Sequence, residues 1–106
     1  MSVMMTLVMS GDPNKLEEHA ASDPGAMQQI LESSKEHGLI AHRFYGSDDG
    51  EIMVVDEWPD AQSFHSFFEE NAERIGPLMQ AAGVTSEPQP KIWRKLESQD
   101  EYGWGA

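Results

Sequence analysis

The chain contains no cysteine. Disulfides, thiolate metal sites and a cysteine nucleophile are therefore excluded. Positive charge is also scarce: 7 Lys and Arg face 19 Asp and Glu, a formal net charge of -12. A phosphate backbone is repelled by such a surface, because binding it takes clustered Lys and Arg. The one basic cluster, Lys91, Arg94 and Lys95, is small. Nucleic acid and anionic membranes are thus disfavoured as partners. No apolar run approaches the length that spans a bilayer. The apolar stretch from Val3 to Met9 lacks a basic flank and a small-residue cleavage site, and polar Ser10-Gly11-Asp12 ends it. It reads as a strand and not a signal, which points to a cytoplasmic protein.

Several chemistries lack their motifs. There is no phosphate-binding glycine loop, no Gly-x-Ser-x-Gly elbow and no dinucleotide fingerprint, so nucleotide cofactors and serine hydrolysis are unsupported. No His-x-x-x-His or Glu-x-x-His pair offers a metal seat. His65 and Glu69 share a helix face but lack a third ligand, so no metal is expected.

What is present suits one small folded domain: 106 residues, 39% apolar and 25% charged. Residues 3–9 form a first strand. Asp12-Pro13 and Ser22-Asp23-Pro24 are both helix starts, and Met27, Ile30, Leu31 and Ser34 follow at helical spacing up to Gly38. The first helical region is therefore two pieces, or one helix broken near Pro24. Residues 39–46 and 51–58 form a hairpin around Ser47-Asp48-Asp49-Gly50. Phe64, Phe67 and Phe68 stripe a helix over residues 61–73. Gly76-Pro77 interrupts it, leaving one more turn over 77–82. Pro88 and Pro90 border a last strand, Lys91–Leu96. Residues 1–96 make the domain, and residues 97–106 a polar tail whose Tyr102 and Trp104 suit packing on a partner.

The order β-α-β-β-α-β is the ferredoxin-like plan, an α+β fold with a four-stranded antiparallel sheet and helices on one face. Strand three places Ile52 and Val54 on one face and Met53 and Val55 on the other. A sheet that is apolar on both faces, with helices for only one, implies a second sheet over the other. The expected partner is another copy of the chain, giving a homodimer through the sheet faces.

Residues 38–46, Gly50–Trp58 and the following Pro59-Asp60-Ala61-Gln62-Ser63-Phe64-His65-Ser66-Phe67-Phe68 resemble the dimeric α/β-barrel superfamily, in particular its antibiotic biosynthesis monooxygenase-like group. The resemblance implies a homodimeric α/β barrel with a pocket between sheet and helices in each subunit. Its members include cofactor-independent oxygenases of polycyclic aromatic phenols, haem-degrading enzymes and binding modules. Haem degradation pairs Trp58 with a first-strand Asn and a helix His. The first strand here offers Thr6 and Leu7, and His65 falls two or three residues early, so that activity is rejected. The oxygenases use an Asn, a Trp, a Tyr and an Arg. Trp58 matches by position, and Tyr45 and Arg43 supply residue types. No cofactor is implied.

Hairpin geometry then locates a candidate site. A two-residue or four-residue loop puts odd positions of strand two beside even positions of strand three. Arg43, Tyr45, Asp56 and Trp58 would share one face, and His42, Phe44, Val55 and Glu57 the other. A one-residue bulge would reverse this. In the enzymatic reading Arg43 stabilises a phenolate or enolate, Asp56 or His65 takes the proton, and Tyr45, Trp58 and Phe68 bind the ring. His42 is a further acid–base candidate, while His19 and His37 read as exposed. The structural alternative is a cross-strand Arg43–Asp56 pair with Tyr45 and Trp58 as core aromatics. The functional alternative is a non-catalytic dimeric binding module.

Overall fold

The computed structural model describes residues 1–104. Its elements run β1 (Val3–Ser10), α1 (Pro13–Ser22), α2 (Pro24–Glu36), β2 (Ala41–Gly46), β3 (Glu51–Trp58), α3 (Ala61–Ala81) and β4 (Gln89–Arg94). The four strands form one antiparallel sheet in the order β2-β3-β1-β4. This is the ferredoxin-like α+β fold expected from the element order. Among the described residues, no helix is long and apolar enough to cross a membrane.

The helix starts follow their capping signals. The Asp12 carboxylate accepts from the Asn14 backbone N–H at 2.9 Å and Asp60 from Ser63 at 2.8 Å. Asp23 ends α1 and begins α2, so the first helical region is two helices. The expected break at Gly76-Pro77 does not occur: α3 is continuous across Pro77. Proline removes one N–H from the helix ladder, but Glu73 and Pro77 are both exposed, so the freed carbonyl meets water. The last strand also lies two residues earlier than expected and includes Pro90. It is an edge strand, where proline is tolerated.

Burial alternates along β1 and β3. Met5, Leu7 and Met9 of β1 and Ile52, Val54 and Trp58 of β3 face the helices and are buried with Leu16, Phe64, Phe67 and Ala82. The opposite sheet face carries Met4, Val8, Tyr45 and Trp93, each 39–48% exposed. Tyr102 and Trp104 of the tail are fully exposed.

The hairpin corrects the expected register. Ser47 donates its N–H to the Glu51 carbonyl at 2.9 Å, leaving a three-residue turn, Asp48-Asp49-Gly50. Gly50 takes a φ of +86°, the left-handed conformation that such turns place at their last residue. An odd turn length pairs even with even positions: His42 lies opposite Asp56 and Phe44 opposite Val54. Arg43 and Tyr45 therefore lie on the sheet face away from Asp56 and Trp58, and the four do not converge.

Candidate functional site

β2 and β3 bring His42 and Asp56 side by side on the helix-covered face. His42 Nδ1 lies 2.6 Å from Asp56 Oδ1. Trp58 is two residues further along β3, so its side chain is on the same face, and its Nε1 donates to Asp56 Oδ2 at 3.2 Å. Asp56 is buried at 4% exposure, with both carboxylate oxygens occupied. A carboxylate only accepts, so Nδ1 of His42 carries the hydrogen that faces Asp56; in the neutral ring Nε2 then keeps its lone pair. Trp58 is held by Phe64 and Phe67, at centroid distances of 6.0 and 5.3 Å.

Between the sheet and the helices lies a cavity of about 100 Å³. Its wall is built from core aliphatics of β1 and β3, from Met27, Ile30 and Leu31 of α2, and from Phe64, Phe67 and Phe68 of α3. Its polar side chains are Ser34, His42 and Asp56. Ser34 is buried, and its hydroxyl donates to the Leu31 carbonyl at 2.6 Å. His42 stands at the rim with 32% of its side chain exposed, its ring edge-on to Phe44 at 5.1 Å. A histidine held by a buried carboxylate at the rim of an apolar cavity can, in its neutral form, accept a proton.

The sequence-predicted residues divide. Asp56 and Phe68 lie on the cavity wall. Trp58 is fully buried and supports Asp56 from behind. His65 is exposed on α3 and does not line the cavity. Arg43 is exposed on the outer sheet face, where it donates to the Tyr45 hydroxyl at 3.2 Å. The expected Arg43–Asp56 pair is replaced by His42–Asp56, because the three-residue turn reverses the relative facing of the two strands. His42 was legible as an acid–base candidate, but its partner depended on the turn: the Gly ending Ser-Asp-Asp-Gly was the signal. His37 is half-buried and not exposed as expected. It bonds Glu70 across α2 and α3 with its ring edge toward Phe67. His19 is half-buried as well.

No protein-family model matches the chain, and no curated protein matches its sequence. Solved structures do match its fold. A monooxygenase from the gene ActVA-Orf6 of Streptomyces coelicolor, in complex with nanaomycin D, superposes with a TM-score of 0.67 at 17% identity, over 92% of this chain and 89% of that one. SnoaB, a cofactor-independent oxygenase from Streptomyces nogalater, gives 0.61 at 13% identity, over 94% and 98%. A dimeric ferredoxin-like protein from an uncultured marine organism gives 0.64 at 16% identity, over 92% and 90%. With its four-stranded sheet under three helices, the chain has the ferredoxin-like fold that these solved structures share.

Proposed function

We propose that this protein is a cofactor-independent oxygenase of a small aromatic or quinol-like molecule, bound between sheet and helices. The observation that carries this reading is the His42–Asp56 pair on the wall of an apolar cavity. Two proteins of the same fold, one a monooxygenase with nanaomycin D bound and one a cofactor-independent oxygenase, support it.

In this reading His42 Nε2 takes the phenolic proton, and Asp56 stabilises the resulting imidazolium. The electron-rich anion passes one electron to O2, and the two radicals recombine at a ring carbon. Loss of water from the hydroperoxide leaves the ring oxidised from quinol to hydroxyquinone. One oxygen atom stays on the ring and the other leaves as water, which balances the four electrons. Phe68 forms part of the wall against the ring, and Trp58 positions Asp56.

The proposed assembly is a homodimer through the outer sheet face. Met4, Val8, Tyr45 and Trp93 leave that face partly apolar. Its charges nearly cancel, with Arg43 and Lys91 near Glu51 and Glu57, in a chain of net charge -12. Two copies meeting there avoid the repulsion of the rest of the surface.

The test is oxygen uptake with hydroquinone and with an anthrone-like phenol, above the uncatalysed rate. Uptake that disappears in His42→Ala supports the reading. Binding without uptake favours the non-catalytic module instead, a reading helped by the absence of any cationic side chain on the cavity wall.

A further inference from the structure

The size and polarity of the cavity narrow what it accepts. We infer that it is built for an uncharged, single-ring aromatic carrying a hydrogen-bond donor, a simple phenol or quinol and not a fused polycycle or an aromatic acid. The inference rests on the reading of this cavity as a small-molecule site and deepens it.

Size is the first argument. Drug-sized ligands occupy roughly 300–1,000 Å³, whereas an apolar cavity of about 150 Å³ takes up one benzene ring. The cavity here, at about 100 Å³, belongs to the second class. Met5, Met27 and Met79 on its wall supply the adjustment that one ring needs, since unbranched methionine side chains repack easily. Three fused rings would require the helices to separate from the sheet.

Charge is the second. The charged acid on the wall is Asp56, and no Lys or Arg lines it. A ligand carboxylate would be desolvated beside Asp56 with no Lys or Arg to pair it, which is unfavourable, and the charge of a protonated His42 is already offset by Asp56.

Hydrogen-bond polarity is the third. The Ser34 hydroxyl spends its hydrogen on the Leu31 carbonyl, and His42 Nδ1 spends its own on Asp56. With the His42 ring neutral, the side chains on the wall are left with acceptors: His42 Nε2 and the Ser34 oxygen. A phenolic O–H satisfies such a wall, whereas a ligand that only accepts does not. The same asymmetry favours a quinol over its quinone.

The experiment is calorimetric titration of the full chain with p-cresol, toluene, 4-methylbenzoate and 2-hydroxyanthracene, alongside oxygen uptake with hydroquinone. The expected order is p-cresol tightest, toluene at least about fivefold weaker for want of one hydrogen bond, and no detectable binding of the other two. His42→Ala should bring p-cresol down to the level of toluene measured on the same variant. Leu31→Phe, which fills the cavity from α2, should abolish both. Should His42→Ala fail to fold, Leu31→Phe and the ligand series decide alone. Equal or tighter binding of 2-hydroxyanthracene or 4-methylbenzoate overturns the inference, as does failure of p-cresol to bind. Binding of p-cresol without oxygen uptake overturns the oxygenase reading and leaves this one standing. Uptake with an anthrone-like tricycle, without p-cresol binding, does the reverse.

Discussion

His42 and Asp56, fourteen positions apart in the chain, face each other across the β2–β3 ladder, with Nδ1 and Oδ1 2.6 Å apart. The pair is fixed twice over. Strand register sets its position, and the Trp58 indole N–H, 3.2 Å from Asp56 Oδ2, sets the orientation of the carboxylate. Replacing Asp56 by Asn keeps the shape but offers an amide where an acceptor is needed. Oxygen uptake should fall by about a hundredfold or more in Asp56→Asn and in His42→Ala, the usual range for losing a positioned base. Circular dichroism would confirm that both variants fold. Unchanged turnover in either would remove this pair from the chemistry.

Trp58 is also a stability element. It is fully buried against Phe64 and Phe67 and bonded to Asp56. Trp58→Ala should cost about 3–5 kcal/mol in urea denaturation, the range for truncating a large core aromatic. Trp58→Phe should cost less, but it leaves one oxygen of a buried carboxylate unpaired and so exceeds a pure volume effect.

The turn at Gly50 carries the register. Its φ of +86° suits glycine, and any side chain there is strained. Gly50→Ala should destabilise the fold by about 1–2 kcal/mol. Deleting Asp49 is a sharper test. A two-residue turn would rotate one strand against the other and separate His42 from Asp56. Loss of folding, or of the cavity's ligand binding, is the expected result; a deletion variant that folds and binds normally would refute the turn argument.

The outer sheet face should hold two copies together. Light scattering should give about twice the 11.8 kDa chain mass. Val55→Glu, at the centre of that face opposite Thr6 and Arg43, should shift the protein to monomer. A native protein that runs at the single-chain mass would place the interface elsewhere or nowhere.

Asp60 predicts an acid-dependent loss of stability. The Ser63 backbone N–H and hydroxyl both donate to its carboxylate and hold its pKa below the ordinary 3.8. A depressed carboxyl stabilises the fold above its unfolded value and loses that contribution as pH falls through the folded one. Asp60→Ala should therefore melt below the native protein at neutral pH. The gap should narrow as the solution is taken below 3.8, the ordinary value. Asp60→Asn, which still caps, should melt closer to the native protein than Asp60→Ala at neutral pH. A gap that stays constant across this range would exclude the charged cap as its source.

Much of the protein was legible from the order of residues alone. The apolar run Val3–Met9, the hairpin signal before Glu51–Trp58, the Asp-Pro and Asp caps, and the phenylalanine stripe each act over a few positions. They determine strand and helix locally, and their order leaves the ferredoxin-like sheet as the natural assembly. The absence of cysteine and the excess of acid excluded whole classes of chemistry by the same directness.

Tertiary structure decided the rest, through quantities that local patterns do not carry. A pleat has period two, so one residue in a turn changes which side chains meet. Gly50 in the left-handed conformation made that turn odd, moved Arg43 and Tyr45 to the outer face, and gave Asp56 to His42. Pro77 read as a helix break, but the helix continues because its freed carbonyl is on the water side. The cavity itself is what remains after Phe64, Phe67, Phe68 and the α2 side chains have packed on the sheet. The sequence therefore determined which surfaces must be buried, and only the packed structure decided which polar groups were buried with them.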